Sequence, residues 1–358
     1  MEIRRSYKYR MYRTSRNKGL YQTINIAGII WNHSIALQRR YYRLTGESIN
    51  QAQLKSHLAK LRRSSPKYNY WQKVGSQSVQ DVVERLDKAY QRLFEGQGGR
   101  PSFKKVKQYR SFTLKQAGWK LLEGNKIQIL GHHYKFVKHR EIGGRIKTVT
   151  IKRDSLNRLW IVFSVVENIH IPKVSSGKIG GFDFGLKTFL TDDEGRPTTS
   201  PQYFKRALKT IAKRNRNLSR KKEGSQNRRR AKRQLGLAHD HIANRRRNHH
   251  FQLAHDLCDE YGTLIFETLN IKAMHRLWGR KISDLGFSQF IKSLEYVTAV
   301  RGKTIHFIDR WEPTSQTCSR CDHRQKMDLR QRVFDCPECG LSLDRDHNAA
   351  INIRLVAP

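Results

Sequence analysis

The chain of 358 residues, long enough for two or three domains, carries 71 Lys and Arg against 30 Asp and Glu, a net charge of +41. Solubility needs far less, and such self-repulsion opposes compaction unless a polyanion is bound, so the composition points to nucleic acid. It argues against a membrane role: no run approaches the roughly 18 apolar residues of a spanning helix, and no helical pattern offers a wide apolar face. The N-terminus, MEIRRSYKYRMYR, puts charges where a secretory leader needs an apolar segment. Four of the five cysteines fall in two CxxC pairs, which indicates a reduced compartment and a metal site in place of disulfides.

Residues 2–13 alternate, with Ile3, Tyr7, Tyr9 and Met11 on one face and Arg4, Lys8, Arg10 and Tyr12 on the other. That period of two predicts a strand with a basic outer face. From Arg16 to Arg43 a helical stripe follows, through Leu20, Ile24, Ile29 or Ile30, Ser34 and Leu37, and Gly46 ends it. Gln51 to Arg63 reads as a second helix, broken by Pro66. The cluster Tyr68-Asn69-Tyr70-Trp71 beside Lys67 and Lys73 suits either base stacking or capping of a helix layer, and capping is the favoured reading. A third helix spans Gly75 to Phe94, and GQGGRP at 96–101 is a linker.

Residues 102–170 change to short β-branched and aromatic runs, which predict an antiparallel barrel or sandwich. The N-terminal strand joins it, since an isolated strand is not stable, so the helices at 16–95 are an insertion into one β-domain. PKVSSG at 172–177 leads into residues 178–192, read as a hairpin turning at Asp192-Asp193-Glu194-Gly195. Residues 205–247 hold 17 Lys and Arg against Glu223 and Asp240. Their helical stripes, separated at Gly224-Ser225, predict a helical hairpin lying on a nucleic-acid backbone, with Arg214, Arg229 and Arg246 among its contacts. GTLIFE at 262–267 is a buried strand ending in a carboxylate. A basic loop is expected next, then a helix from Phe287 to Val300 and a strand, KTIHFI, at 303–308. An acidic cap and a final helix occupy 344–353.

Two sets of residues carry chemistry. Cys318-x2-Cys321 and Cys336-x2-Cys339 are separated by fourteen residues. Each pair puts two thiolates on one turn, and together they complete a tetrahedral set for Zn²⁺. All four positions are filled, so the metal is structural. Cys258 reads as core. The second set is Asp183, mid-strand in GGFDFG, with Glu267 at a strand end and Asp346 at the start of the last helix. An unpaired carboxylate within a sheet is costly unless solvated or bound to a cation. Three that converge repel one another, and divalent cations, two Mg²⁺ in the expected site, relieve that. Read as structure alone, Asp346 is a helix N-cap and Glu267 a surface residue, and Asp344 competes with Asp346 for the third position.

GFDFGLKTFLTDDEG, IFETLNIKAM, SQTCSRC with CPECG, and DRDHNAAINI occur in that order. They resemble the split RuvC nuclease and zinc ribbon of TnpB, the transposon-encoded RNA-guided DNA nucleases related to compact type V CRISPR effectors. GRPSFKK, SFTL and the SQSVQDVVERLDKAYQRLF helix resemble their N-terminal half, so the likeness covers essentially the whole chain. It implies a multidomain α+β and α/β protein. A wedge β-barrel at 1–13 and 97–172 would carry a helical recognition lobe at 14–96. An RNase H-like (RuvC) domain at 173–312 and 341–358 would carry the zinc ribbon at 313–340, which binds target nucleic acid.

The resemblance also implies a guide RNA from the transposon end, double-stranded target DNA, and a monomer on the RNA in a prokaryotic cytoplasm, associated with the nucleoid. Asp183, Glu267 and Asp346 become the Mg²⁺-binding catalytic triad, and Lys73, Gln77, Gln80 and Thr113 fall where such proteins touch the target-adjacent motif. Pairing with the guide would read the sequence. Asp322 stands after Cys321 where the family usually has Gly. The competing readings are a protein-only nuclease or transposase acting at transposon ends, a guided DNA-binding regulator that does not cut, and a structural zinc-ribbon RNA-binding protein.

Overall fold

A computed structural model describes residues 2–168, 177–328 and 331–356. The chain gathers into two compact units, Met1–Ile169 and His170–Pro358. Residues 172–176 of the expected linker at 172–177, and the domain division there, lie outside the described residues.

The first unit opens with β1 (Glu2–Arg10), then α1 (Asn17–Thr45), α2 (Gln51–Ser64), a 3-10 helix (Pro66–Val74) and α3 (Ser76–Phe94). Gly46 closes α1 in the left-handed region, φ 72°, a conformation glycine adopts without a Cβ penalty, and its N–H donates to the Tyr42 carbonyl. A capping box starts α2: the Asn50 side chain accepts from the Gln53 amide while the Gln53 side chain accepts from the Asn50 amide. Six strands follow: β2 (Ser111–Leu114), β3 (Trp119–Leu121), β4 (Lys126–Ile129), β5 (His132–Lys135), β6 (Arg145–Arg153) and β7 (Leu159–Asn168). One antiparallel sheet has the order β1-β7-β6-β2, and β3-β4-β5 form a second. The N-terminal strand therefore does join the later β region, pairing from Glu2↔Asn168 to Arg10↔Trp160.

Helices and strands of this unit share one apolar core. Leu20 and Ile24 of α1, Val82 and Leu86 of α3, Phe112 of β2 and Phe163 of β7 all belong to it. Trp71 is fully buried against Tyr68 and His33, at ring separations of 4.6 and 5.1 Å. The aromatic cluster thus closes a helical layer, and Trp71 is not a base-stacking surface.

The second unit begins with β8 (Ile179–Phe184), β9 (Leu190–Asp192) and β10 (Pro197–Thr198), then α4 (Tyr203–Ser219) and α5 (Gln226–Glu260). After β11 (Thr263–Glu267) come α6 (Ile271–Leu285), α7 (Phe287–Arg301) and β12 (Thr304–Ile308). The hairpin strands β13 (Val333–Asp335) and β14 (Ser342–Asp344) lead into α8 (Arg345–Leu355). The main sheet has the order β10-β9-β8-β11-β12, with β8, β11 and β12 mutually parallel and β9 antiparallel to both its neighbours.

Two sequence expectations are corrected here. The β8–β9 hairpin turns earlier than expected, between Phe184 and Leu190, and the Asp192–Gly195 turn joins β9 to β10. Asp192 fixes that turn, its Oδ1 accepting from the Glu194 and Arg196 amides at 3.1 and 2.8 Å. The segment expected as a basic loop is α6, two helical stretches that meet at a kink at Trp278 (φ −127°, ψ 29°). Its charges mask an apolar stripe of Ile271, Met274, Ile282 and Leu285, Asn270 caps it and Gly286 ends it in the left-handed region.

The sheet's two faces differ. Phe182 and Phe184 of β8 stack on Phe266 of β11 at 5.0 and 5.2 Å, and α7 adds Phe287 and Phe290. The opposite face takes α8, where Ile353 packs on Ile265 and Ile308. Gly181 lets that helix approach: a Cβ there would strike the Ala350 carbonyl and lie 2.6 Å from the Arg354 amide nitrogen. Both obstacles are backbone, so Gly181→Ala should push α8 off the sheet. We expect a loss of about 1–3 kcal/mol, read as a lower unfolding midpoint of this unit in urea, while Gly98→Ala, whose nearest neighbour stands at 3.9 Å, should leave it unchanged.

Candidate metal and nucleic-acid site

Parallel register brings two of the carboxylates together. Phe182 of β8 pairs with Phe266 of β11, so Asp183 and Glu267, next along each strand, emerge on one face at the C-terminal ends of adjacent strands. That edge is where open α/β sheets bind ligands. Glu267 pairs with Ile308 of β12, and Thr268 secures the strand end, its amide and its hydroxyl donating to the Ile308 carbonyl at 3.2 and 2.7 Å.

Helix geometry supplies the third. Ala350 and Arg354 of α8 cover Gly181, and Asp346 Oδ2 lies 3.6 Å from the place of a Cβ on Gly185, so α8 runs antiparallel to β8. Four helical residues rise about 6 Å and two strand residues about 6.6 Å. Asp346 therefore sits near Asp183 just as Ala350 sits near Gly181. Asp344 is the N-cap, its Oδ1 accepting from the Asp346 and His347 amides at 2.9 and 3.2 Å. The expectation of Asp346 as a possible cap is thus corrected: Asp344 satisfies the helix end and leaves the Asp346 carboxylate for the site.

Asp183 is half-buried by surface area but lies in dense protein surroundings. Burial, followed by the charges of Asp346 and Glu267, pushes its carboxyl up to about 8, against the opposing pull of Arg345 and the Phe184 amide. Burial raises Glu267 as well. An all-oxygen set in which the charges of Asp346 and Glu267 disfavour the ionisation of Asp183 is chemically suited to hard divalent cations.

The cysteine set is tighter. The ligand atoms of Cys318, Cys321, Cys336 and Cys339 all lie within 4.8 Å of one another, the one such cluster among the described residues. Cys318–Cys339 and Cys321–Cys336 sulfurs are 3.6 Å apart. A tetrahedron with Zn–S bonds of about 2.3 Å has edges near 3.8 Å, so these residues fit zinc. Asp322, where a glycine is usual, adopts φ 59° and donates its amide to the Cys318 carbonyl at 3.1 Å, a left-handed conformation Asp tolerates. The carboxylates do not close to this spacing, but two cations about 3.5–4 Å apart span a wider set of ligands. Cys258 is core, its thiol pushed to about 11 by burial.

Among the expected nucleic-acid contacts, Arg229 on α5, Lys73 and Gln80 are exposed. The others are engaged internally. Arg214 donates to the Gln234 carbonyl at 2.7 Å, binding α4 to α5, and Arg246 donates to the Ser283 carbonyl at 2.7 Å and to Gln289 at 3.2 Å. Gln77 Oε1 accepts the Lys115 and Ala117 amides. Thr113 is buried, accepting from Arg85 at 2.6 Å and sharing a hydrogen bond with Thr150. The Thr113 hydroxyl is thus engaged inside the sheet. Two residues escaped notice in the sequence, Asn348 and Asn352, both buried on α8. Their signal was there: two amides one turn apart, on the side of a helix away from its Ala-Ala-Ile stripe.

Among the described residues no helix is long and apolar enough to cross a membrane. Two family models match, "Cas12f1-like, TNB domain" over residues 287–353 and "Probable transposase" (OrfB_IS605) over 162–277. A Streptomyces pristinaespiralis protein named "Putative RNA-guided DNA endonuclease" is 27% identical over 98% of this chain and 89% of its own. "Putative RNA-guided DNA endonuclease InsQ" of Escherichia coli K12 is 26% identical over 90% of this chain and 85% of its own. In fold, the chain is similar to Cas12f1 in a cryo-EM complex with sgRNA and target DNA, with a TM-score of 0.55, 14% identity and 99% of each chain covered. Further relatives, from Acanthamoeba polyphaga mimivirus, carry the name TnpB-like and are 28% identical over 58% of this chain and 42% of their own, so the chain is similar to TnpB-like proteins and to proteins named as RNA-guided DNA endonucleases.

Proposed function

We propose that this protein is an RNA-guided DNA endonuclease, and that Asp183, Glu267 and Asp346 are its catalytic carboxylates. The observation that carries the reading is their meeting at one edge of the sheet, within a chain of net charge +41. The strand order fits an RNase H-like (RuvC) domain, and the antiparallel strands of the first unit fit a wedge barrel bearing the helices of a recognition lobe. Relatives named as RNA-guided DNA endonucleases support guide RNA and target DNA as the partners. Pairing would read the target sequence, while the protein holds backbone and shape.

Three hard oxygen donors favour Mg²⁺ over softer metals. When bound, such cations supply Lewis acidity at phosphodiester oxygens and make water more acidic. The chain's own part is positional. The β8–β11 register fixes Asp183 against Glu267, Thr268 pins the strand end, and α8 brings Asp346 to them. Half-burial leaves the carboxylates few competing solvent partners, so all three would stay available to hold divalent cations beside a bound phosphodiester. The four cysteines would hold a structural zinc, filling all four positions of a tetrahedral site. Exposed arginines on α5 follow the backbone of the guide–target duplex.

Three measurements test this. Asp183→Asn should lower the cutting rate of a target plasmid by about two to three orders of magnitude, the span that a charge-stabilising group supplies. Target binding in a gel shift should persist, and cutting at the wild-type rate would overturn the assignment. Elemental analysis should find zinc in the wild type, and Cys336→Ser should lose it together with the protease resistance of residues 313–344. Replacing Arg229, Arg230 and Arg233 by Gln should reduce the slope of log affinity against log salt by about 2–3, since each phosphate contact contributes about 0.9; an unaltered slope rejects a backbone role for α5.

A further inference from the structure

Helix α8 is fastened on two opposite sides. Asp346, Ala349, Ala350 and Ile353 recur at i, i+3, i+4 and i+7 and face the sheet, where Ala350 meets Gly181 and Ile353 meets Ile265. Asn348 and Asn352, one turn apart on the other side, are 0% and 5% exposed. The Asn352 amide donates to the Thr314 and Thr317 carbonyls, both at 2.7 Å. The Asn348 amide donates to the Thr317 carbonyl at 2.8 Å, and its Oδ1 accepts from the Ser319 N–H at 3.0 Å. Thr317 and Ser319 flank Cys318, so these bonds tie α8 to the first cysteine pair. The second pair is tied through the chain itself, because β14 follows Cys339 closely and ends in Asp344, the N-cap of α8.

Apolar packing alone would tolerate a helix that rotates or slips by a fraction of a turn. Four directional bonds to a rigid knuckle do not, because each weakens steeply as its angle opens. The carboxylate on the first turn of α8 inherits that constraint.

We propose that Asn348 and Asn352 are positioning residues that couple the zinc knuckle to Asp346, so that an intact knuckle sets the cation affinity of the carboxylate site. The inference rests on the reading of Asp346 as a cation ligand. Asn348 and Asn352 act on that ligand through the backbone of α8, and loss of groups that orient a ligand typically weakens metal affinity or activity about 10–100-fold.

The test uses the full-length protein with its copurified RNA, Mn²⁺ as the probe, and Mg²⁺ titrations of cutting. Bound Mn²⁺ is followed by electron paramagnetic resonance against the Asp346→Asn particle, which corrects for ions on the RNA. Asn352→Ala should retain zinc and target binding. It should still weaken Mn²⁺ at the carboxylate site, and raise the Mg²⁺ needed for half-maximal cutting, by about tenfold. Cys336→Ser, which keeps both asparagines but lacks zinc, should shift both in the same direction. If Asn352→Ala does not fold, Asn348→Ser, which removes the amide donor to Thr317, is read by the same criteria. Should Asp346→Asn bind as much Mn²⁺ as the wild type, the carboxylate reading falls and the coupling with it. Should Asp346→Asn lose Mn²⁺ while the asparagine variants and Cys336→Ser keep wild-type Mn²⁺ affinity and Mg²⁺ dependence, the coupling alone is overturned.

Discussion

Three half-buried carboxylates held near one another are the constraint on which the second unit depends. Left to themselves like charges oppose close approach, and at Asp183 burial first, then the charges of Asp346 and Glu267, favour the neutral carboxyl. The fold must supply the energy that keeps them there. It does so with the Phe182–Phe184–Phe266 stack beneath the sheet and the Ile265–Ile308–Ile353 contact above it. Gly181 is the point where the two requirements meet, since only a missing side chain lets the α8 backbone come so close.

The four-cysteine knuckle has a place in the same scheme. Four thiolates close on one another more tightly than the carboxylates do, which suits a site that stabilises chain geometry and offers nothing to substrate. Buried amides carry that rigidity into α8. Hydrogen bonds to a fixed knuckle give direction where hydrophobic contact gives only adhesion. A residue far from the chemistry thereby acquires influence over where an acid group stands.

Positive charge is distributed by a different logic. The α4–α5 hairpin is cationic enough to repel itself, and some of its arginines answer by donating to backbone carbonyls, as Arg214 and Arg246 do. Those side chains stabilise the protein's own architecture, while exposed neighbours such as Arg229 remain for a polyanion. Counting basic residues in a sequence does not separate these two uses.

Much of the architecture was legible in the chain. Period-two alternation marked β1, and the stripes of α1, α3 and α7 showed at helical spacing. Two CxxC pairs announced a tetrahedral metal site because thiolates so spaced have few other uses. Where local signals competed, the reading failed: charges hid the apolar stripe of α6, and an acidic turn attracted the β8 hairpin that in fact closes earlier. Asp183, Glu267 and Asp346 could be named from their motifs, yet their meeting could not be derived from spacing. It depends on strand register and on the packing of α8 across β8, contacts between residues more than 80 positions apart. So too with Asn348 and Asn352 and with Thr113, whose surroundings are made by segments distant in the chain. The sequence by itself determined which elements form and which side chains bear the chemistry, because those follow from local periodicity and residue type. Only the tertiary structure decided which polar groups face one another and which are already spent, because that is a property of packing.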